Sequence, residues 1–161
     1  MIGVETDVSG EWDSRIDWPA LARTAVRAAV RHSRHPSLSD SEVSVKFTGD
    51  QEVRELNRSW RGRDKATNVL SFPMAQEHEL GDAPMLGDIV LAFGVCAAEA
   101  ADKSVAVETH AAHLLVHGTL HLLGYDHETG DEAAEEMEDV ERRALASIGI
   151  ADPYRVTEDQ L

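Results

Sequence analysis

The sequence has little cysteine and no long apolar run. Cys96 is the only cysteine, so no disulfide bond can form within the chain, as is usual in a reducing compartment, and we expect a buried, unreactive thiol. No run of 18 apolar residues is present. The N-terminus, MIGVETDVSG, has acids where a signal peptide has lysine or arginine and an apolar run. We therefore expect a cytoplasmic protein with no membrane partner.

Positive charge is also scarce. The chain has 15 Lys and Arg against 30 Asp and Glu, a net charge of -15, which argues against a protein that binds nucleic acid with its whole surface. Five of the positive residues nevertheless fall within twelve positions: Arg54, Arg58, Arg61, Arg63 and Lys65. Nine acids and no Lys or Arg lie between positions 126 and 141. We expect one basic and one acidic region on the surface.

The length of 161 residues and the order of patterns predict a single domain over residues 1–161, with a polar tail after about residue 153 that frays. Alternating or β-rich segments predict strands at 2–4, 42–48, 67–72 and 86–93. Helices are predicted at about 17–32, from 50 past 60, and at 94–103, 105–123 and 130–147. Strands in the first 93 residues and helices after them indicate an α+β fold.

Two details of this prediction concern the middle of the chain. Val53, Leu56 and Trp60 fall at i, i+3 and i+7, so we expect them to form one apolar helix face. Residues 74–84 are polar and are predicted to form a loop.

Residues 117–127, HGTLHLLGYDH, contain the residues of a possible metal site. His117 and His121 lie four apart, so a helix would place both imidazoles on one face, close enough to bind one ion. Gly124 can end the helix, and the following turn can return His127 as a third ligand. Three histidines leave a fourth position for water, which is typical of a catalytic zinc.

The same spacing occurs in metzincin proteases, with one difference. Their pattern has a glutamate where this sequence has Gly118, and that glutamate is their general base. Peptide hydrolysis by that mechanism is therefore not expected. His110 and His113 lie upstream, as either partners of the ligands or ordinary polar residues, and three further histidines are predicted at the surface: His32, His35 and His78.

A second segment, WRGRDKATNVLSFP at 60–73, joins a basic loop to a strand. Arg61 could present its planar guanidinium to phosphate oxygens in a cleft. The alternative is a solvated charged turn. Proximity of Arg61 to the histidines would favour the phosphate site.

With these motifs the chain resembles the YbeY family of bacterial endoribonucleases, which are ribosomal RNA maturation factors. The resemblance rests on the segments at 117–127 and 60–73, on LGDIVLAF at 86–93 and on EAAEEME at 132–138. It implies a small mixed sheet packed on helices with a zincin-like metal helix. It also implies one zinc ion bound by His117, His121 and His127, with Arg61 beside the cleft. Ala66 replaces the proline usual in the family, which removes no chemical group.

The function implied by the resemblance is a zinc-dependent, single-strand-specific endoribonuclease. It would process ribosomal RNA, at the 3′ end of the small-subunit RNA, and act in ribosome quality control, with small-subunit proteins as further partners. Arg61 would stabilise transition-state charge, and His113 or Asp126 are candidate general bases, as is a zinc-bound hydroxide. The alternatives are a metallohydrolase of peptides or small molecules and a ribosome assembly protein with structural zinc.

Overall fold

The computed structural model describes residues 1–154, and the elements follow the α+β order expected from the sequence. The strands are β1 (Gly3–Val8), β2 (Glu42–Thr48), β3 (Val69–Pro73) and β4 (Met85–Ala92). The helices are α1 (Trp18–His32), α2 (Asp50–Arg61), α3 (Phe93–Asp102), α4 (Val107–Leu122) and α5 (Asp131–Ser147), with a 3-10 helix at Glu77–Asp82. The part of the predicted frayed tail at 155–161 lies outside the described residues.

The four strands form one small mixed sheet in the order β1-β2-β4-β3. β1, β2 and β4 run parallel, and β3 pairs antiparallel with β4 at the edge. Pro73 ends this edge strand, where a residue without an N–H group is tolerated. The predicted small mixed sheet on helices is confirmed.

The two faces of the sheet are covered by different helices. Successive side chains of a strand point to opposite faces, so Ile89 and Leu91 enter the large core with α1, α4 and α5. Val90 and Ala92 point the other way and contact a smaller apolar cluster that includes Val53 of α2. α4 is therefore packed against the sheet, and this contact positions the histidines.

Several local predictions are confirmed. β2 has the predicted bounds, and the Asp17 side chain caps α1 by accepting a hydrogen bond from the Ala20 N–H group at 3.0 Å. Cys96 is buried, and burial raises the pKa of its thiol to about 12, so it is unreactive. No helix within residues 1–154 is long and apolar enough to cross a membrane.

The structure differs from the sequence prediction in two places that border the site. The predicted loop at 74–84 contains the 3-10 helix, because a capping box at Gln76 and Glu79 orders it and Leu80 is buried beneath it. Trp60 does not share the buried face of α2 with Val53 and is 74% exposed. The small apolar cluster under α2 contains no residue from the last turn of the helix. Trp60 therefore does not pack into a core.

Candidate metal centre and adjoining cleft

Three histidines converge where α4 ends. His117 and His121 lie one turn apart on α4, and Gly124 then turns the chain with a φ of +96°, which favours glycine. A Cβ at Gly124 would lie 2.9 Å from Glu77 Oε1, so any other residue there would also have to displace the Glu77 side chain. His127 returns, and one ligand atom from each of the three histidines lies within 4.8 Å of the others.

Hydrogen bonds fix which ring nitrogens face one another. His117 Nδ1 lies 2.6 Å from Glu141 Oε1, and His121 Nδ1 lies 3.0 Å from the Tyr125 carbonyl oxygen. Both oxygens accept, so each Nδ1 donates and each neutral ring has a lone pair on Nε2. The two Nε2 atoms are only 3.0 Å apart. Two lone pairs at this distance need a cation or a proton between them, so the donor set fits a metal ion.

The protonation state of the second histidine also suits metal binding. Burial and the nearby His117 together lower the pKa of His121 to about 4. Only a neutral imidazole can donate its lone pair to a metal ion. His121 is therefore in its metal-binding form across the neutral range.

Glu141 of α5 orients the first histidine, and sequence reasoning missed it. Its side chain is fully buried and accepts hydrogen bonds from His117, His113 Nε2 at 3.1 Å and the Tyr154 hydroxyl. Burial alone would raise its pKa, but the bonds from His113 and His117 outweigh this and hold the pKa at about 2. One sequence signal was available, because Glu141 falls on the apolar face of α5 defined by Met137 and Ala144.

The upstream histidines lie behind the ligands. His110 Nε2 lies 2.8 Å from Glu99 Oε1, which also accepts a bond from Asn68 at 2.9 Å. His113 is buried against Glu141 and does not line the cleft beside the ligands. The sequence left His113 as either a partner of the metal ligands or an ordinary polar residue. Its position against Glu141 favours a partner of the ligands.

A cleft of about 580 Å³ opens directly onto the three histidines. Its other wall is formed by Arg61 and Arg63, so the basic segment and the candidate metal centre are adjacent in space. Arg61 is exposed and makes no ion pair with any residue in 1–154, whereas nearby Arg54 is paired with Asp64 at 2.7 Å. Its guanidinium is available for an anion in the cleft.

Acidic residues line the cleft on the side of the loop that follows α4. Asp126 is exposed there, and its Oδ1 accepts a hydrogen bond from the Glu128 N–H group at 2.8 Å. Oδ2 has no hydrogen-bond partner among residues 1–154. The cleft therefore has one basic wall and one acidic edge.

Close packing explains the glycine at position 118. A Cβ there would lie 2.9 Å from Ser71 Oγ and 3.1 Å from Ile89 Cγ2, because α4 lies directly against the sheet. Ser71 Oγ also donates to the Gly118 carbonyl oxygen at 3.2 Å. A glutamate base of the metzincin type cannot be accommodated at this position.

Comparison with known proteins agrees with the site. Residues 9–149 match the family described as endoribonuclease YbeY. The endoribonuclease YbeY of Novosphingobium aromaticivorans is 51% identical over 95% of this chain and 96% of its own. That of Rhizorhabdus wittichii is 52% identical over 99% of this chain and 100% of its own.

A solved structure shares the fold. The solution structure of a Thermotoga maritima protein aligns with a TM-score of 0.57 and 25% sequence identity, covering 97% of this chain and 100% of that one. The family match spans both walls of the cleft and all three histidines. The chain belongs to the YbeY endoribonuclease family.

Proposed function

We propose that this protein is a zinc-dependent endoribonuclease that cleaves single-stranded RNA during ribosomal RNA processing in the cytoplasm. Membership of the YbeY family supports hydrolysis of RNA phosphodiester bonds. The observation that carries the proposal is the single cleft shared by the three histidines and Arg61. The proposal extends to the 3′ end of small-subunit ribosomal RNA as substrate, to ribosome quality control, and to small-subunit proteins as partners.

The donor set supports one zinc ion per chain at His117, His121 and His127. Three neutral imidazoles are a common ligand set for zinc, and the group contains no fourth protein ligand among residues 1–154. When bound, zinc supplies Lewis-acid polarisation of a phosphoryl oxygen and lowers the pKa of a water molecule. An incomplete ligand set favours catalysis over a purely structural ion.

The chain's own residues divide the remaining tasks. The Arg61 guanidinium can form a planar fork with two phosphate oxygens and stabilise the extra charge of the transition state. Asp126 has one carboxylate oxygen bonded to Glu128 N and one free to accept a proton from the cleft. His113 lies behind the ligands, so it acts through Glu141 in this proposal, and Asp126 is the preferred proton acceptor.

Peptide hydrolysis has less support. Gly118 supplies no carboxylate base, and contact with Ser71 excludes a larger residue there. Two arginines on the cleft wall suit a phosphodiester, which carries a negative charge, better than a neutral peptide bond.

A cleavage assay tests the proposal. Wild-type protein should cut a single-stranded oligoribonucleotide, should leave a perfect duplex and a mixed peptide library intact, and should lose activity to a chelator and regain it with zinc. His121→Ala should lose both stoichiometric zinc and cleavage. His78→Ala changes an exposed histidine outside the metal group and should retain both. Chelator-resistant cleavage by His121→Ala would reject the metal-dependent mechanism.

A further inference from the structure

A second groove lies beside the cleft, on the face of the sheet covered by α2. It has a volume of about 610 Å³, and its walls are largely apolar: Leu56, Trp60, Phe72, Pro73, Met74 and Val90. Trp60 is 74% exposed and Met74 is 58% exposed. Two large apolar side chains at the mouth of one groove form a patch that a folded chain does not need for its own core.

The groove and the cleft lie on opposite faces of the sheet and adjoin each other at the edge strand β3. Pro73 lines both of them, and Trp60 precedes Arg61, which lines the cleft. An extended polymer that leaves the cleft over Pro73, around this open edge of the sheet, can therefore reach the groove beside Trp60.

The charges around the groove suit the same polymer. Arg61 directly follows Trp60 at the exposed end of α2, and Arg63 lies with Arg61 on the cleft wall. Glu52, one of two acidic residues of the groove, is already paired with Lys46 at 2.7 Å. Phosphates can follow the arginines while a base turns into the apolar groove, where Asp88 can accept a hydrogen bond from a base amino group.

We propose that this groove is a base-binding subsite, in which an unpaired nucleobase of the RNA substrate stacks on the indole of Trp60. The inference rests on the proposed ribonuclease function and adds a contact outside the histidine and arginine site. Stacking needs the face of the base but not its hydrogen-bonding edge, so it tolerates different sequences. A base within a duplex cannot turn into the groove, so this subsite contributes to the preference for single strands.

Tryptophan fluorescence tests the contact directly. The chain has three tryptophans, all in the described part, and Trp12 and Trp18 are each only 2% exposed. Mixing zinc-loaded protein with a single-stranded oligoribonucleotide in a stopped-flow instrument should quench the emission before cleavage. Binding should also protect the emission from acrylamide. Trp60→Phe should lose both signals while keeping most of the RNA affinity.

A non-aromatic variant measures the contribution of stacking. Trp60→Leu keeps an apolar side chain and should weaken RNA binding by about 5- to 150-fold, the range expected for loss of one stacked base. Removing one base at a time from the oligoribonucleotide should reveal one position whose loss weakens wild type by a similar factor. The same abasic RNA should bind Trp60→Leu no more weakly than intact RNA does.

The outcomes separate this inference from the proposed function. Suppose that wild type cleaves RNA, that Trp60→Leu binds RNA as tightly as wild type does, and that RNA does not quench the wild-type fluorescence. This result would overturn the base-binding subsite and would indicate a protein partner for the groove. Absence of RNA binding and cleavage in wild type would overturn both proposals. Trp60 is largely exposed, so both variants should keep the wild-type circular dichroism spectrum.

Discussion

At the residue scale, Glu141 is a buried carboxylate that orients His117. A buried carboxylate is costly unless it is fully hydrogen-bonded, and Glu141 accepts bonds from His113, His117 and Tyr154. By accepting from His117 Nδ1 it directs Nε2 of that ring toward the cleft. The candidate metal centre therefore depends on a residue outside its three histidines.

Glu141→Gln should weaken zinc binding by about 10- to 100-fold, the usual effect of losing the acceptor behind a metal-binding histidine. The amide has nearly the same volume but no negative charge, and it cannot accept from both His113 and His117 with equal strength. The measurement is a zinc titration in competition with a chelating dye. Glu135→Gln changes an exposed glutamate of the same helix and should leave the zinc affinity unchanged. Equal affinities in the two variants would show that Glu141 does not support the ligand.

Arg61 is expected to act on the transition state. Arg61→Ala should lose on the order of 2.7 to 4 kcal/mol of transition-state stabilisation with little change in RNA affinity. Arg61→Lys should recover only part of the activity, because lysine has the charge without the planar fork. Single-turnover cleavage at matched zinc occupancy is the measurement, and zinc content should equal that of wild type in both variants. Wild-type cleavage by Arg61→Ala would make this arginine part of a solvated turn.

At the scale of elements, the end of α4 and the loop after it form the metal centre as a unit. α4 is fixed by packing on the sheet at Gly118, and Gly124 then reverses the chain so that His127 returns. Beneath the loop, Glu77 of the 3-10 helix pairs with Arg34, whose guanidinium lies 4.0 Å from the Tyr125 ring centroid. The segment that was predicted as a loop thus supports the position of the third ligand.

Gly124→Ala should lower both stability and zinc affinity. The positive φ costs about 1 to 2 kcal/mol for a residue with a Cβ, and the new Cβ must also displace Glu77. Gly149→Ala is the matched control, since Gly149 has a φ of +82° with nothing within 4 Å of its Cβ position. Gly149→Ala should be less stable only because of the positive φ, and it should bind zinc as tightly as wild type does. Urea unfolding and zinc titration distinguish the two, and equal zinc affinities would contradict a role of the turn in placing His127.

At the scale of the whole molecule, the charge distribution is less divided than the sequence suggests. The basic and acidic regions meet in the cleft, where Arg61 and Arg63 face Asp126 and Glu128. Further along the acidic region, Glu136 is paired with Arg34 at 3.1 Å. RNA bound on the arginine side would place its phosphates away from the rest of the acidic segment.

Reversing Arg58 and Arg63 to Glu should weaken RNA binding and reduce the slope of log affinity against log salt by about 1.4, since each phosphate contact on a single strand contributes about 0.7. Reversing Arg31 and Arg143, which are exposed on α1 and α5 and lie outside both the cleft and the basic region at 54–65, changes the net charge equally. This control should retain the wild-type slope. Affinity measured over a range of salt concentrations gives the result, and equal losses in both double variants would indicate only a general charge effect.

Features that depend on short spacings can be predicted from the sequence alone. The i, i+4 histidines, the glycine turn and the third histidine all lie within eleven residues, so local helix geometry is enough to predict their convergence. The alternation in β2 and the cap of α1 are equally local, and both were predicted at the right positions. The single domain over residues 1–161 stays a prediction.

Which distant residues share the site depends on how the helices pack. Glu141 reaches His117 across 24 positions because α5 packs on α4, and Arg61 reaches the same cleft because α2 ends at its edge. The exposure of Trp60 and the lack of space for a side chain at position 118 could not be predicted from the sequence either. Each depends on how closely a neighbouring element packs there. Helical periodicity predicts which side of a helix is apolar, but the extent of the core against it is set by elements far away in the chain.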